Sequence, residues 1–175
     1  MIFERPCLCA LAILPLLFVL AIADPAVAQQ STTATYEDWV LRCETQPVPP
    51  AKKSCDMEQM TQVKGAPNPL SRAAVTRPAP GQPVKLTVQV PVNVSFATPL
   101  RIRISDKEPE FSAPFRRCAP AGCFAELDLK DDVIKKMRTA TETGKIMFKD
   151  AADRDVAIPL SFKGFGAALD ALMKE

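Results

Sequence analysis

The chain has 175 residues, with 22 basic and 20 acidic side chains, no histidine and a net charge of +2 at neutral pH. That balance argues against a nucleic-acid-binding domain, which would be much more basic, and the lack of imidazole removes the commonest general base and metal ligand. The length fits one domain with its own core behind a short leader.

The leader is residues 1–28. Arg5 precedes an apolar run from Cys7 to Ala23, and Ala26 and Ala28 give the small-x-small pattern of a signal-peptidase site. Pro15 interrupts the run, which is short for a bilayer span. The pattern predicts a cleaved signal peptide and a mature chain from Gln29, periplasmic, secreted or held at the outer envelope, with no transmembrane segment left; retention as an anchor is the alternative. Without Arg5, Glu4 and Asp24 the basic and acidic residues number 21 and 18, a net charge of +3.

Residues 29–35, QQSTTAT, are small and polar and predict a mobile lead-in, so the folded domain is expected over 36–175. In YEDWVLRCE the residues Trp39, Leu41 and Cys43 share one face of a strand, and SCDMEQMTQ resumes an extended run with Cys55 and Met57. The Pro-rich QPVPPAKKS lies between them as a surface loop. SRAAVT, VKLTVQV and LRIRIS follow as strands, the last with Ile102 and Ile104 inward and Arg101 and Arg103 outward. After the turn SDKEPE, the run FSAPFRRC carries Pro114, the mark of an edge strand or a bulge. Ala119–Gly122 then turns the chain into a strand that starts at Cys123.

Acidic residues lead and basic residues close LKDDVIKKMRTA, which predicts a short helix over 131–139. KIMFKD and DVAIPLSF form a last strand pair. In GFGAALDALMKE the spacing of Phe165, Ala168, Leu169, Leu172 and Met173 predicts an amphipathic helix over 165–173. Many short strands separated by turn signals point to a mainly β domain, a sandwich or flattened barrel of about seven to nine strands with two helices.

The mature chain keeps four cysteines, an even number read first as disulfides in an exported protein. Spacing favours Cys43 with Cys55 and Cys118 with Cys123, each pair bracketing a turn-rich segment. A thiol–disulfide redox protein using Cys118 and Cys123 is the competing function. That chemistry is built on two intervening residues at a helix start, which acidifies the thiol, whereas here four intervene in a hairpin turn, so the clasp is favoured. A metal site would need reduced thiols in an oxidising compartment without histidine to help. Asp128, Asp131 and Asp132 cluster where a helix start favours negative charge. No Gly-x-Ser-x-Gly or phosphate loop occurs, and the reading is of a protein without catalytic residues, cofactor or metal. The remaining polar feature is basic. If the strands of LRIRIS and FSAPFRRC pair, Arg101, Arg103, Lys107, Arg116 and Arg117 form one patch for anionic lipid, lipopolysaccharide phosphate or an acidic protein surface. A solvated face balanced by Asp106, Glu108 and Glu110 is the plainer and favoured reading.

Four stretches, YEDWVLRCE, SCDMEQ, FRRCAPAGCFAELDL and FKDAADRDVAIPLSFKGFGAALDAL, resemble the invasion-associated locus B family of exported alphaproteobacterial proteins. Trp39, Cys43, Cys55, Cys118, Gly122, Cys123 and the step Lys163–Gly164–Phe165 carry the likeness, which runs from Tyr36 to Leu172. The resemblance implies a periplasmic or surface-associated β-rich domain with two disulfides and no known catalytic residues. Its founding member is linked to entry into red blood cells, which implies an envelope or host-surface partner.

Overall fold

A computed structural model describes residues 30–46, 50–66 and 68–175; the expected signal peptide over 1–28, with Gln29, lies outside the described residues. Alternation of apolar and polar side chains decides most of the architecture, because each alternating run buries one face and wets the other. The elements in chain order are β1 Gln30–Tyr36, β2 Trp39–Gln46, β3 Lys52–Thr61, β4 Ser71–Thr76, β5 Lys85–Val90, β6 Leu100–Arg103, β7 Phe111–Ala113, β8 Phe115–Ala119, β9 Gly122–Asp128, α1 Asp131–Thr139, β10 Gly144–Lys149, β11 Asp155–Leu160 and α2 Phe165–Leu172.

The strands make two antiparallel sheets, one of order β1-β2-β3-β4-β5-β9-β8 and one of order β11-β10-β6-β7. They pack face to face as a sandwich rather than a closed barrel. Leu41, Met57, Val75 and Leu86 lie in register across four strands of the larger sheet. Ile102, Ile146 and Ile158 do the same in the smaller one. All seven are buried and belong to one continuous core, the main source of stability in a domain of this size.

The strand count is eleven among the described residues, above the expected seven to nine, and two local causes account for it. Of the lead-in over 29–35, expected to be mobile, residues 30–35 belong to the strand β1, which pairs with β2 along its whole length. The run FSAPFRRC is two strands, because Pro114 cannot donate to a ladder and the chain leaves the smaller sheet there to join the larger one.

Both helices form where periodicity places them; α2 packs on β1, β2 and β3 of the larger sheet, and α1 packs against α2. The Trp39 ring meets Phe165 edge-on at 5.2 Å, and its indole N–H donates to the Ser161 carbonyl at 3.0 Å. Gly164 opens α2 with φ of 79°, and a Cβ there would strike the Tyr36 carbonyl, so glycine is required twice over. Phe165, Ala168, Leu169 and Leu172 are buried as the stripe predicts. Met173 departs from it: it lies just past the helix, 39% exposed, with its sulfur 3.7 Å from Arg77.

Candidate functional site

Cys43 and Cys55 face each other across β2 and β3, Cα to Cα 4.1 Å, and are disulfide-bonded. Cys118 and Cys123 do the same across β8 and β9 at 4.0 Å. Cys123 is buried and Cys118 exposed. The second bridge closes a tight hairpin in which Gly122 has φ of 148° and a Cβ would come within 2.6 Å of the Val90 carbonyl. The two helices among the described residues start elsewhere, at Asp131 and Phe165, so neither dipole reaches this pair to stabilise a thiolate. Cys43 and Cys55 also lie close to the Glu175 carboxylate. Their sulfurs are bonded to each other, and that group offers a metal nothing but one carboxylate.

The basic residues do not assemble as one patch. Arg101 and Arg103 project from β6 and enclose Glu110: Arg101 lies 3.1 Å from its carboxylate, and Arg103 donates to it from two guanidinium nitrogens. Arg103 also reaches Asp106 at 3.4 Å, and Arg101 lies 4.0 Å from Asp155. The Arg103 hydrogen bond, with the Arg101 charge behind it, holds the Glu110 carboxyl below the usual range. These two arginines are the neutralised sheet face that the plainer reading describes. Of the run FSAPFRRC only Phe111–Ala113 pairs with β6; past Pro114 the chain has changed sheets, and this separates Arg116 and Arg117 on β8 from Arg101 and Arg103. Lys107 is exposed in the connecting turn. Asp128 also departs from its expected place: it belongs to β9 and pairs with Lys85 at 3.1 Å, while Asp131 and Asp132 occupy the first turn of α1 without a side-chain cap.

The separated half has different neighbours. Arg117 lies over the Phe124 ring, 4.9 Å from its centroid, in cation–π geometry. Arg116 sits at the β-bulge between Phe115 and Arg117, exposed and without an ion pair among the described residues. Beside it runs the crossover segment 91–99 from β5 to β6. Phe96 of this segment packs on Phe115, centroids 5.3 Å apart. Phe96 is 58% exposed and Val92 57%, the highest values among the exposed large hydrophobic residues described.

The crossover is pinned in place. Ser95 N–H donates to Lys149 at 2.9 Å and Ala151 N–H to Asn93 at 3.2 Å. The turn it leans on is organised by Asp150, whose carboxylate accepts from the Ala152 and Arg154 N–H groups and from the Arg154 guanidinium. Those bonds hold its carboxyl low. Val92 also borders a cleft of about 300 Å3 lined by Leu70, Pro91, Pro120 and Ala121, between the β3–β4 turn and the hairpin tip.

The sequence reading missed Glu58. It projects from the outer face of the larger sheet yet is 2% exposed, held 3.1 Å from Arg42 and by the Arg72 guanidinium, which also reaches Asp56 at 3.0 Å. Burial raises the Asp56 carboxyl against the pull of Arg72. Glu58 and Asp150, the buried carboxylates among the described residues, are both saturated by arginines, an arrangement that holds strands and turns together.

Residues 39–173 match the family described as Invasion associated locus B (IalB) protein. An invasion protein B homolog of Brucella abortus (strain 2308) is 27% identical over 136 residues, covering 78% of this chain and 76% of the relative. A second such homolog, from Brucella abortus biovar 1 (strain 9-941), matches equally well. The crystal structure of invasion associated protein b from Bartonella henselae is similar with a TM-score of 0.70 at 21% identity, over 82% of this chain and 95% of that one. That likeness extends to the two-layer arrangement of the fold.

Proposed function

Since the chain belongs to the invasion associated locus B family, we propose that it is an exported, non-catalytic binding protein that contributes to host-cell invasion by contacting an anionic surface. Export rests on the pattern of residues 1–28, and the invasive role on the names of the Brucella and Bartonella relatives. The observation that carries the contact is the juxtaposition at the β8 edge: Arg116, without an ion pair among the described residues, the ring-backed Arg117 and the exposed Phe96 and Val92. Arginine supplies planar donors for phosphate or carboxylate. Exposed apolar side chains beside it add area that leaves water on contact. The Cys118–Cys123 disulfide and the pinned crossover keep that edge rigid, so little ordering opposes binding.

The test is a Phe96→Ser, Arg116→Glu double variant, compared with the unaltered protein for binding to host cells and to vesicles with and without anionic lipid. Loss of binding at an unchanged melting temperature is the expected result. Undiminished binding by the folded variant overturns the site, and recovery of the protein solely from the cytosol on cell fractionation overturns export.

A further inference from the structure

We propose that β1 is a docking strand for a second copy of this chain, forming a two-fold antiparallel pair that continues the larger sheet across two molecules. A sheet edge presents unpaired N–H and C=O groups, and proteins block such edges with proline, charge, bulges, short strands or cover. Three of the four edges are blocked in these ways. β11 carries Pro159 and lies under β3: the Thr61 hydroxyl donates to the Pro159 carbonyl at 3.3 Å, and the Gln59 side chain exchanges two hydrogen bonds with the Ser161 backbone at 2.8 and 3.1 Å. β7 has three residues and runs into Pro114. β8 is bulged, carries two arginines and is clipped by a disulfide.

Among the described residues β1 has no such device. Its seven residues, QSTTATY, contain no charge and no proline, and all of them pair in unbroken register with β2. Its inner side borders an open groove of about 290 Å3 lined by Thr32, Ala34, Tyr36, Leu41 and Ala171, which a further strand would roof over.

The strand suits its own copy. With the two-fold axis at Thr33, Thr33 faces its symmetry mate, Thr32 faces Ala34 and Gln30 faces Tyr36, so residues on the groove side meet residues on the groove side. Cross-strand pairs between hydroxyl residues are favourable, and an uncharged strand meets its copy without repulsion. One open edge per molecule closes as a dimer instead of growing into a fibre. In that dimer the two β8 edges lie at opposite ends of the joined sheet, because β1 and β8 are its two limits.

Sedimentation velocity over a roughly hundredfold concentration range should show a reversible monomer–dimer equilibrium. Thr33→Lys puts like charges face to face across the axis at an exposed position; it should weaken the dimer at least about tenfold, with the melting temperature of the monomer kept. Thr33→Cys should form a covalent dimer under mild oxidation or with a short bis-thiol linker. A monomer at every concentration overturns the proposal, and so does a dimer that Thr33→Lys leaves intact and Thr33→Cys fails to cross-link.

Discussion

Glu58 shows what a single position owes to its register. Alternation alone puts it on the wet face of β3, where a glutamate is unremarkable. The pairing of β3 with β2 and β4 brings Arg42 and Arg72 over it and removes it from water. A buried charge stripped of its partner is costly, but here the partners are arginines, about a third or more exposed, that can rehydrate when the carboxylate goes. Glu58→Ala should therefore destabilise by on the order of 2 kcal/mol, below the figure for a fully buried triad. Glu58→Gln, which keeps the acceptor oxygen, should lose less. Urea unfolding of the two variants checks the order, and equal loss from both would show that the charge carries the whole effect and the acceptor oxygen none of it. The same dependence on register hid the residue from sequence reasoning: nothing local in SCDMEQM distinguishes Glu58 from a solvated glutamate.

Elements were legible where one face is apolar. β2, β5, β6, α1 and α2 formed as their periodicities predict, because burial of one face is what fixes them. Residues 29–35 read as mobile because they are small and polar; the order of β1 comes from hydrogen bonds to β2, which no periodicity reports. Pro114 is legible as a break but not as a change of sheet, since the destination depends on partners far along the chain, and for that reason the sequence does not show that Arg116 and Arg117 part from Arg101 and Arg103. Two predictions belong at this scale. Leu169 is 2% exposed on α2, so Leu169→Ala should cost about 2 to 4 kcal/mol in denaturant unfolding; a change within error would mean that the helix only rests on the sheet. For the disulfides, Cys43 and Cys55 are 12 positions apart and Cys118 and Cys123 are 5, for which chain-entropy reasoning gives about 3 and about 2 kcal/mol. Replacing the first pair by serine should lower the melting temperature more than replacing the second, the more so because Cys43 lies in the core. The reverse order would mean that the hairpin clasp, not the first bridge, governs global stability.

At the scale of the whole molecule, the absence of histidine and the distribution of carboxylates set the response to pH. No side chain has an ordinary titration between about pH 5 and 8, so stability should be flat there. Below that range the sign follows from which state holds protons more tightly. Glu110, Asp150 and Asp170 are held below their ordinary range by hydrogen bonds from Arg103, Arg154 and Arg138 respectively. The unfolded chain therefore takes up protons first as pH falls, and the stability these groups contribute, complete above their unfolded pKa values, drains away through the folded ones. Asp56 acts the other way: burial raises its pKa, and its protonation on acidification relieves a penalty instead of adding one. Three groups against one predict a net fall in melting temperature below about pH 4.5. The contact to watch is Arg138, which joins α1 to α2 through Asp170 at 2.7 Å and the Gly166 carbonyl at 3.2 Å. Asp170→Asn removes the titrating group while leaving an acceptor, so it should flatten part of the acid slope and change stability less at pH 3 than at pH 7. Melts of the two proteins across that range decide it: if their acid slopes coincide, the helix contact is not what acid loosens, and the β6–β7 hairpin and the Asp150 turn must carry the response.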